Sequence, residues 1–228
     1  MRLLCGLLAS KGINATLIGD KSLSNRPMGR IIKPLFERGV DIKSINNLAP
    51  IIIKKSTLTG FKYKNKISSA QVKSAILFSG LTATEPTYYH EPILSRDHTE
   101  IMLKNVGVNI KKTNNNVCLT PPIHALRPLN VEIPGDPSSA AFFAGAASIL
   151  PKSNLILKKI LSNPTRFEFF NIIESMGVDV NLKNEKNVAG ELVNDISIKQ
   201  KKLFGIHIKE SKVQSIIDEI PMIAVIAT

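Results

Sequence analysis

Tryptophan is absent from the 228 residues, aromatic side chains make up only 5%, and there are two cysteines and four histidines. No apolar run reaches the ~18 residues that a membrane-spanning helix needs. The opening MRLLCGLLAS lacks the charged stretch and cleavage signal of a secretory leader. Cys5 and Cys118 stand far apart, with neither a metal-ligand spacing nor a disulfide framework, so both read as small core hydrophobes. The histidines form no cluster, and no Ser/His/Asp array or Walker-type phosphate loop is present. The chain is therefore expected to use no metal, not to enter a membrane, and to reside in the cytoplasm.

What is plentiful is positive charge, +12 with histidines neutral. A nucleic-acid binder would gather its basic residues into a patch with aromatics for stacking. Here the lysines are spread over polar stretches such as NLKNEKN and KQKK. Most of the excess reads as solvated surface, and the remainder favours small anionic substrates. A basic nucleic-acid-binding module stands as the alternative from a different class.

The segment Ile67–Leu81, ISSAQVKSAILFSGL, reads as a helix opened by serines and apolar almost all round, hence buried. Ser68, Ser69 and Gln71 lie at its N-terminus, where the first backbone N–H groups lack helical partners and an anion can be cradled. Ordinary N-capping by serine is the competing explanation. Similar apolar, small-residue helices are expected at 2–9, 137–150 and 220–227, all buried. Amphipathic helices alternate with them at 27–39, 96–107 and 166–177, the first opened by Pro27. The glycines that stop these (Gly39, Gly107, Gly177) recur after 68 and then 70 residues, each followed by Val and an alternating run. Arg26, Arg96 and Arg166 recur every 70 residues. This is an internal repeat of a helix, a strand, an amphipathic helix and further strands, too long for a solenoid unit.

Strands are expected at 14–19, 40–45, 50–55, 60–64, 87–90 and 154–158, with a polar loop at 20–25, a turn at 114–116 and a charged hairpin region over 181–202. Asp97 with Glu100, and Thr165 with Glu168, have capping-box spacing. Residues 126–134 carry two prolines and no helical period, which places a boundary between domains 1–130 and 131–228. Both ends are abrupt, and the expectation is a piece of a longer protein.

Three arginines repeated at helix starts are a repeated unfavourable choice, because the positive end of a helix dipole disfavours a cation. A bound anion, held bidentately, would compensate it. Pairing with a nearby carboxylate such as Asp97 or Glu168 is the alternative, and for Arg166 the stronger one. Asp218 precedes the last apolar helix, where it could cap it, hold hydroxyls or accept a proton.

The runs GDKSLSNRPMGRIIKPL, SSAQVKSAILFSG, EPILSRDHTEIMLKNVGV, EIPGDPSSAAFFAGAA and IIDEIPMIAVIA span nearly the whole chain. In that order they resemble the EPSP synthases, 3-phosphoshikimate 1-carboxyvinyltransferases of the enolpyruvyl transferase family, with wording closest to the bacterial class of lower glyphosate sensitivity. The resemblance implies an α/β fold: a two-domain inside-out barrel of βαβαββ units, helices buried and sheets outside, here incomplete at both ends. It implies transfer of the enolpyruvyl group from phosphoenolpyruvate to the 5-hydroxyl of shikimate 3-phosphate, through a tetrahedral adduct that eliminates phosphate. No cofactor and no metal are implied, and the partners are those two anionic substrates, with no nucleic acid or membrane and a monomer at full length.

By motif position, Ser69, Ala70, Gln71 and Arg96 resemble the shikimate 3-phosphate ligands, and Arg26 and Gln71 those of phosphoenolpyruvate. Asp218 resembles the carboxylate that binds the shikimate hydroxyls and is the candidate catalytic base. The family's N-terminal Lys-Ser and Arg motif and its later catalytic Glu, Lys and arginines have no counterpart within these residues. The chain by itself is accordingly expected not to turn over. The sister transferase acting on UDP-N-acetylglucosamine shares the architecture, but its reactive loop cysteine has no match, since Cys5 and Cys118 fall in expected helix and strand. A non-catalytic remnant of the enzyme is the remaining alternative.

Overall fold

A computed structural model describes residues 1–228 throughout, and the chain divides into two compact units, Met1–Pro128 and Leu129–Thr228. The first contains α1 (Arg2–Lys11), β1 (Ala15–Leu17), α2 (Lys21–Ser24), α3 (Gly29–Glu37), β2 (Ile42–Ile45), β3 (Leu48–Ile53), β4 (Phe61–Lys64), α4 (Ala70–Ser79), β5 (Thr87–His90), α5 (His98–Asn105), β6 (Asn109–Thr113) and β7 (Asn116–Thr120). The second contains α6 (Pro137–Ile149), β8 (Asn154–Leu161), α7 (Glu168–Ser175), β9 (Asp179–Val188), β10 (Glu191–Lys199), α8 (Glu210–Val213) and α9 (Ile220–Ile226). No helix is long and apolar enough to cross a membrane.

The repeat read from the sequence is a repeat of structure. Elements β4 to β7 form one complete βαβαββ unit, with β4 parallel to β5 and the other neighbours antiparallel in the order β4-β5-β7-β6. Before it, α1, β1, α3, β2 and β3 give the same order without a leading strand, in a sheet β1-β3-β2. In the second unit α6, β8, α7, β9 and β10 do likewise, in a sheet β8-β10-β9. There a single parallel bridge, Gly135 to Ile160, stands where the leading strand would lie.

The corners between amphipathic helix and strand are identical three times over. Gly39, Gly107 and Gly177 have φ of 97°, 99° and 107°, a region that costs glycine little and other residues more. Their N–H groups bond back to Phe36, Lys104 and Glu174, and the following valine N–H reaches one residue further, to Leu35, Leu103 and Ile173. This pair of bonds is the Schellman terminator, whose apolar contact between the flanking residues is met here by the burial of Val40, Val108 and Val178 against those same positions.

Hydrophobic clusters stay within units. One gathers α1, α3 and α4 over the first sheet, another lies between α4, α5 and β7, and a third fills the second unit around Phe169, Phe170 and Ile196. Helix α4 is enclosed on nearly every side, with Val72 to Leu77 all buried, as its composition demands.

Several sequence expectations need correction. The other three apolar helices are covered on one face only: Leu4, Phe142, Phe143 and Val225 are 46–64% exposed. Apolar composition calls for cover but does not say which element supplies it. The loop at 20–25 holds α2, capped by Asp20 accepting from the Leu23 N–H. Helix α3 starts only at Gly29, so Pro27 does not open it; the Met28 N–H is drawn instead to the Asn47 carbonyl (2.8 Å). Neither capping box forms. Glu100 is pulled inward to Lys73, Thr165 bonds Asn163 (2.7 Å), and Glu168 pairs with Lys212 (2.6 Å).

Candidate functional site

Helices α1 and α4 run side by side in the same direction. Arg2 meets Gln71, Gly6 faces Ala75, and Ser10 accepts from Thr82. The approach is possible because position 6 has no side chain, since a Cβ there would stand 2.0 Å from the Ala75 carbonyl oxygen. Two helix N-termini are thereby brought to one place, and their partial positive charges add. At the α4 tip Ser69 is the N-cap, its hydroxyl accepting from the Val72 N–H (3.4 Å). The capping explanation thus holds for that hydroxyl. The N–H groups of Ala70 and Gln71 have no acceptor within the helix, as helix geometry requires.

Arginines surround this pair of tips. Arg2 donates from Nη1 to Gln71 Oε1 (2.6 Å) and from Nη2 to the Pro27 carbonyl (2.9 Å). That joins α1, α4 and the Arg26-Pro27 connection. Its pKa is lowered by burial first, then by the charges of Arg30 and Arg26, so three guanidinium groups share one field. An arginine has donors only, so the Gln71 amide must turn Oε1 toward Arg2. Its NH2 is then left for an acceptor, the orientation an anionic ligand needs. Beside the tip a hollow of about 540 Å³ is lined by Arg30, Lys33, Lys64, Lys66, Ser68 and Ser69, with Glu37 the one carboxylate; Arg26, Gln71 and Arg96 lie outside its lining.

Arg26 is exposed on the connection before α3, and Arg96 is half-exposed in the segment between β5 and α5. That segment is fastened to α4 at three points. Ser68 exchanges hydrogen bonds with the Ile93 backbone, Lys73 reaches Glu91 and the Ser95 carbonyl, and Ser74 meets Thr99 (2.6 Å). Asp97, next to Arg96, pairs with Lys112 (2.7 Å). The structure therefore brings the Ser69–Gln71 tip and the Arg26-Pro27 connection together through Arg2, and it holds the backbone just before Arg96 to Lys73, one turn into α4.

The second unit has a pair of helix tips of its own, each with a carboxylate at its N-cap position. Gly145 of α6 packs against the Met222 side chain of α9, whose sulfur would have to shift to admit a Cβ, and Ser138 donates to the buried Glu219, the N-cap residue of α9. Asp136 caps α6 through the Ser139 N–H (2.9 Å). Arg166 bonds Asp136 (2.7 Å) and Ser138 (2.7 Å), so its partner is a carboxylate, although not the Glu168 expected from sequence. Partial burial works against ionisation of Asp136, but the Ser139 donors and the Arg166 charge outweigh it and lower the pKa. Asp218 is exposed beside Glu219. Asp136 and Glu219 thus meet through Ser138, with Arg166 as the cation between them.

Sequence reasoning missed Arg2, Arg30 and Glu219. Arg2 carried the signal already applied to Arg26, a cation at the start of an apolar helix. No group of three or more His, Cys, Asp or Glu is placed to hold a metal ion.

With this geometry established, comparison with known proteins is direct. The family model described as EPSP synthase (3-phosphoshikimate 1-carboxyvinyltransferase) matches residues 1–228. A 3-phosphoshikimate 1-carboxyvinyltransferase from Endomicrobium trichonymphae is 46% identical over the whole chain and 53% of the relative. The one from Sulfurihydrogenibium sp. (strain YO3AOP1) is 45% identical, over all of this chain and 54% of its own. The solved EPSP synthase from Acinetobacter baumannii superposes with a TM-score of 0.89 at 39% identity, over 100% of this chain and 52% of that one. The enolpyruvyl transferase NikO from Streptomyces tendae shares the fold at 16% identity, with a TM-score of 0.64 over 87% of this chain and 46% of its own. The chain spans about half the length of the relatives it matches, and it belongs to the EPSP synthase family.

Proposed function

We propose that this chain is part of an enzyme that transfers the enolpyruvyl group of phosphoenolpyruvate to the 5-hydroxyl of shikimate 3-phosphate in the cytoplasm. The observation that carries this reading is the Arg2–Gln71 bond between two adjacent helix tips, within the field of Arg26 and Arg30. Apposed helix dipoles and like-charged guanidinium groups repel each other, and a polyanionic ligand reverses that cost. Ser69, Ala70, Gln71 and Arg96 hold the phosphate of shikimate 3-phosphate, while Arg26 and Gln71 hold phosphoenolpyruvate. Asp218 binds the shikimate hydroxyls and accepts the 5-hydroxyl proton as that oxygen bonds to C2 of phosphoenolpyruvate. A proton adds at C3 in the same addition; its later loss, with departure of phosphate from C2, restores the double bond.

The sister transferase is disfavoured by both cysteines. Cys5 is fully buried within α1, its thiol pushed up to about 11 chiefly by burial, and Cys118 lies in strand β7. Calorimetric titration of a polypeptide carrying this chain with each substrate tests the proposal. Arg26→Ala should weaken phosphoenolpyruvate chiefly and Gln71→Ala both ligands, by tenfold or more. Affinities unchanged in both variants would remove these residues from the site. Tighter binding of an oligonucleotide, lost steeply with salt, would favour the nucleic-acid alternative.

A further inference from the structure

Lys73 is a lysine with no solvent exposure, one helical turn into α4. Its ammonium lies 2.8 Å from Glu91 Oε1, 2.9 Å from Glu100 Oε1 and 3.2 Å from the Ser95 carbonyl. Glu91 is equally buried and accepts twice more, from the Ser95 N–H (3.0 Å) and the Ser95 hydroxyl (2.6 Å). Glu100, 4% exposed, has neither oxygen in hydrogen-bonding geometry. The two carboxylates are thus unequal. Glu91 accepts three hydrogen bonds, whereas burial raises the pKa of Glu100 against the lowering effect of Lys73.

Burying an ammonium and a carboxylate together seldom gains stability over apolar residues of the same size, so stability gives no reason for the arrangement. Its geometry does. Ser95, which donates twice to Glu91 and accepts from Lys73, immediately precedes Arg96, and Lys73 follows Gln71 by two residues. We propose that Lys73 and Glu91 are positioning residues that fix Arg96 against the Ser69–Gln71 tip, so that one phosphate can meet both. A phosphate bound jointly by a helix tip and a guanidinium group tolerates little change in their spacing, since a looseness of about 1 Å at such a site is costly. This rests on the reading of Arg96 and the α4 tip as phosphate ligands given above.

The test uses Lys73→Met and Glu91→Gln, with Glu100→Gln as control, in a polypeptide carrying this chain. Glu91→Gln retains shape and removes only charge, so it stands in should Lys73→Met not fold. Amide hydrogen exchange reads the coupling without any ligand. Exchange at residues 95–97 should accelerate at least tenfold in Lys73→Met or Glu91→Gln while the cooperative unfolding transition is kept, and Glu100→Gln should match wild type. Shikimate 3-phosphate affinity should fall about tenfold in the same two variants, with phosphoenolpyruvate affinity changed less than threefold. Wild-type exchange rates at 95–97 in a folded variant would overturn the proposal, as would equal losses for both ligands. Absence of shikimate 3-phosphate binding by the wild-type protein would instead reject the functional reading, and the exchange rates would still decide the coupling.

Discussion

Replacing Arg2 by Met separates what the guanidinium does for Gln71 from what it does for the fold. Arg2 makes two charge-assisted bonds, to Gln71 Oε1 at 2.6 Å and to the Pro27 carbonyl at 2.9 Å. Bonds of this kind contribute roughly 1.5–3 kcal/mol each, and partial exposure of Arg2 places these at or below the lower end. Against that gain stands repulsion from Arg30 and Arg26, which helps hold its pKa down. The unliganded variant should therefore lose at most about 2 kcal/mol. The effect on binding has another origin. Without Arg2 the Gln71 amide is free to flip, and in half of its orientations it presents an oxygen to an anion. Together with the lost charge, shikimate 3-phosphate and phosphoenolpyruvate should both bind about tenfold or more weakly, about 1.4 kcal/mol. The assay is a double-mutant cycle by calorimetry with Arg2→Met, Gln71→Ala and the pair. If Arg2 acts through Gln71, the effects are non-additive by about 1 kcal/mol, beyond the scatter of independent sites. Additivity within ~0.4 kcal/mol would refute the orientation argument, and unchanged affinity in Arg2→Met would refute a role for Arg2 altogether.

Three further expectations follow from burial and close approach. Relative to wild type, Glu100→Gln should gain stability as pH rises above the ordinary carboxyl range, read by urea unfolding. The native state holds the Glu100 proton more tightly than the unfolded chain does, so its stabilising contribution is complete below the ordinary carboxyl pKa and is lost as pH rises through the raised native value. Lys73, Glu91 and Asp97 are the charges that face it, and a wild-type curve parallel to that of the variant would contradict this. Gly6→Ala drives a methyl group to 2.0 Å from the Ala75 carbonyl oxygen and should cost about 3 kcal/mol or more while weakening both ligands, measured by thermal unfolding and calorimetry. In the native protein a thiol reagent should modify Cys118, which is partly accessible, and spare Cys5, which is fully buried with a raised pKa; mass spectrometry showing Cys5 modified first would contradict the packing of α1.

Much of this was legible in the sequence because it is local. The glycine terminators, the enclosed α4 and the strand at 87–90 follow from spacing and from residue types. The arginine that opens an apolar helix, Arg2, is found bonded to Gln71 at the tip of α4. What could not be read is what depends on neighbours brought from afar. The Asp97/Glu100 pair has the spacing of a capping box, yet Glu100 is turned inward by Lys73, a residue on another helix. Arg166 has Glu168 close by in sequence but bonds Asp136, thirty positions earlier. Arg2 is masked in the sequence because the apolar run it opens reads first as core. The facing of Gly6 on Ala75, which sets two tips abreast, is a tertiary fact with no mark in either segment alone.

The threefold glycine-valine corner also bears on where the chain can absorb a change of length. Each corner closes on itself through bonds spanning six residues, and two of them also receive a distant segment: the Arg127 N–H bonds the Val106 carbonyl (2.9 Å) and the Phe204 N–H the Met176 carbonyl (2.8 Å). The hairpin tip at 114–115 is tied outward instead, Asn115 donating to the Pro92 carbonyl (2.7 Å) and accepting from the Glu91 N–H (3.1 Å). A change of length at that tip would therefore pull on the stretch that leads to Arg96, whereas one inside a corner would break the turn itself.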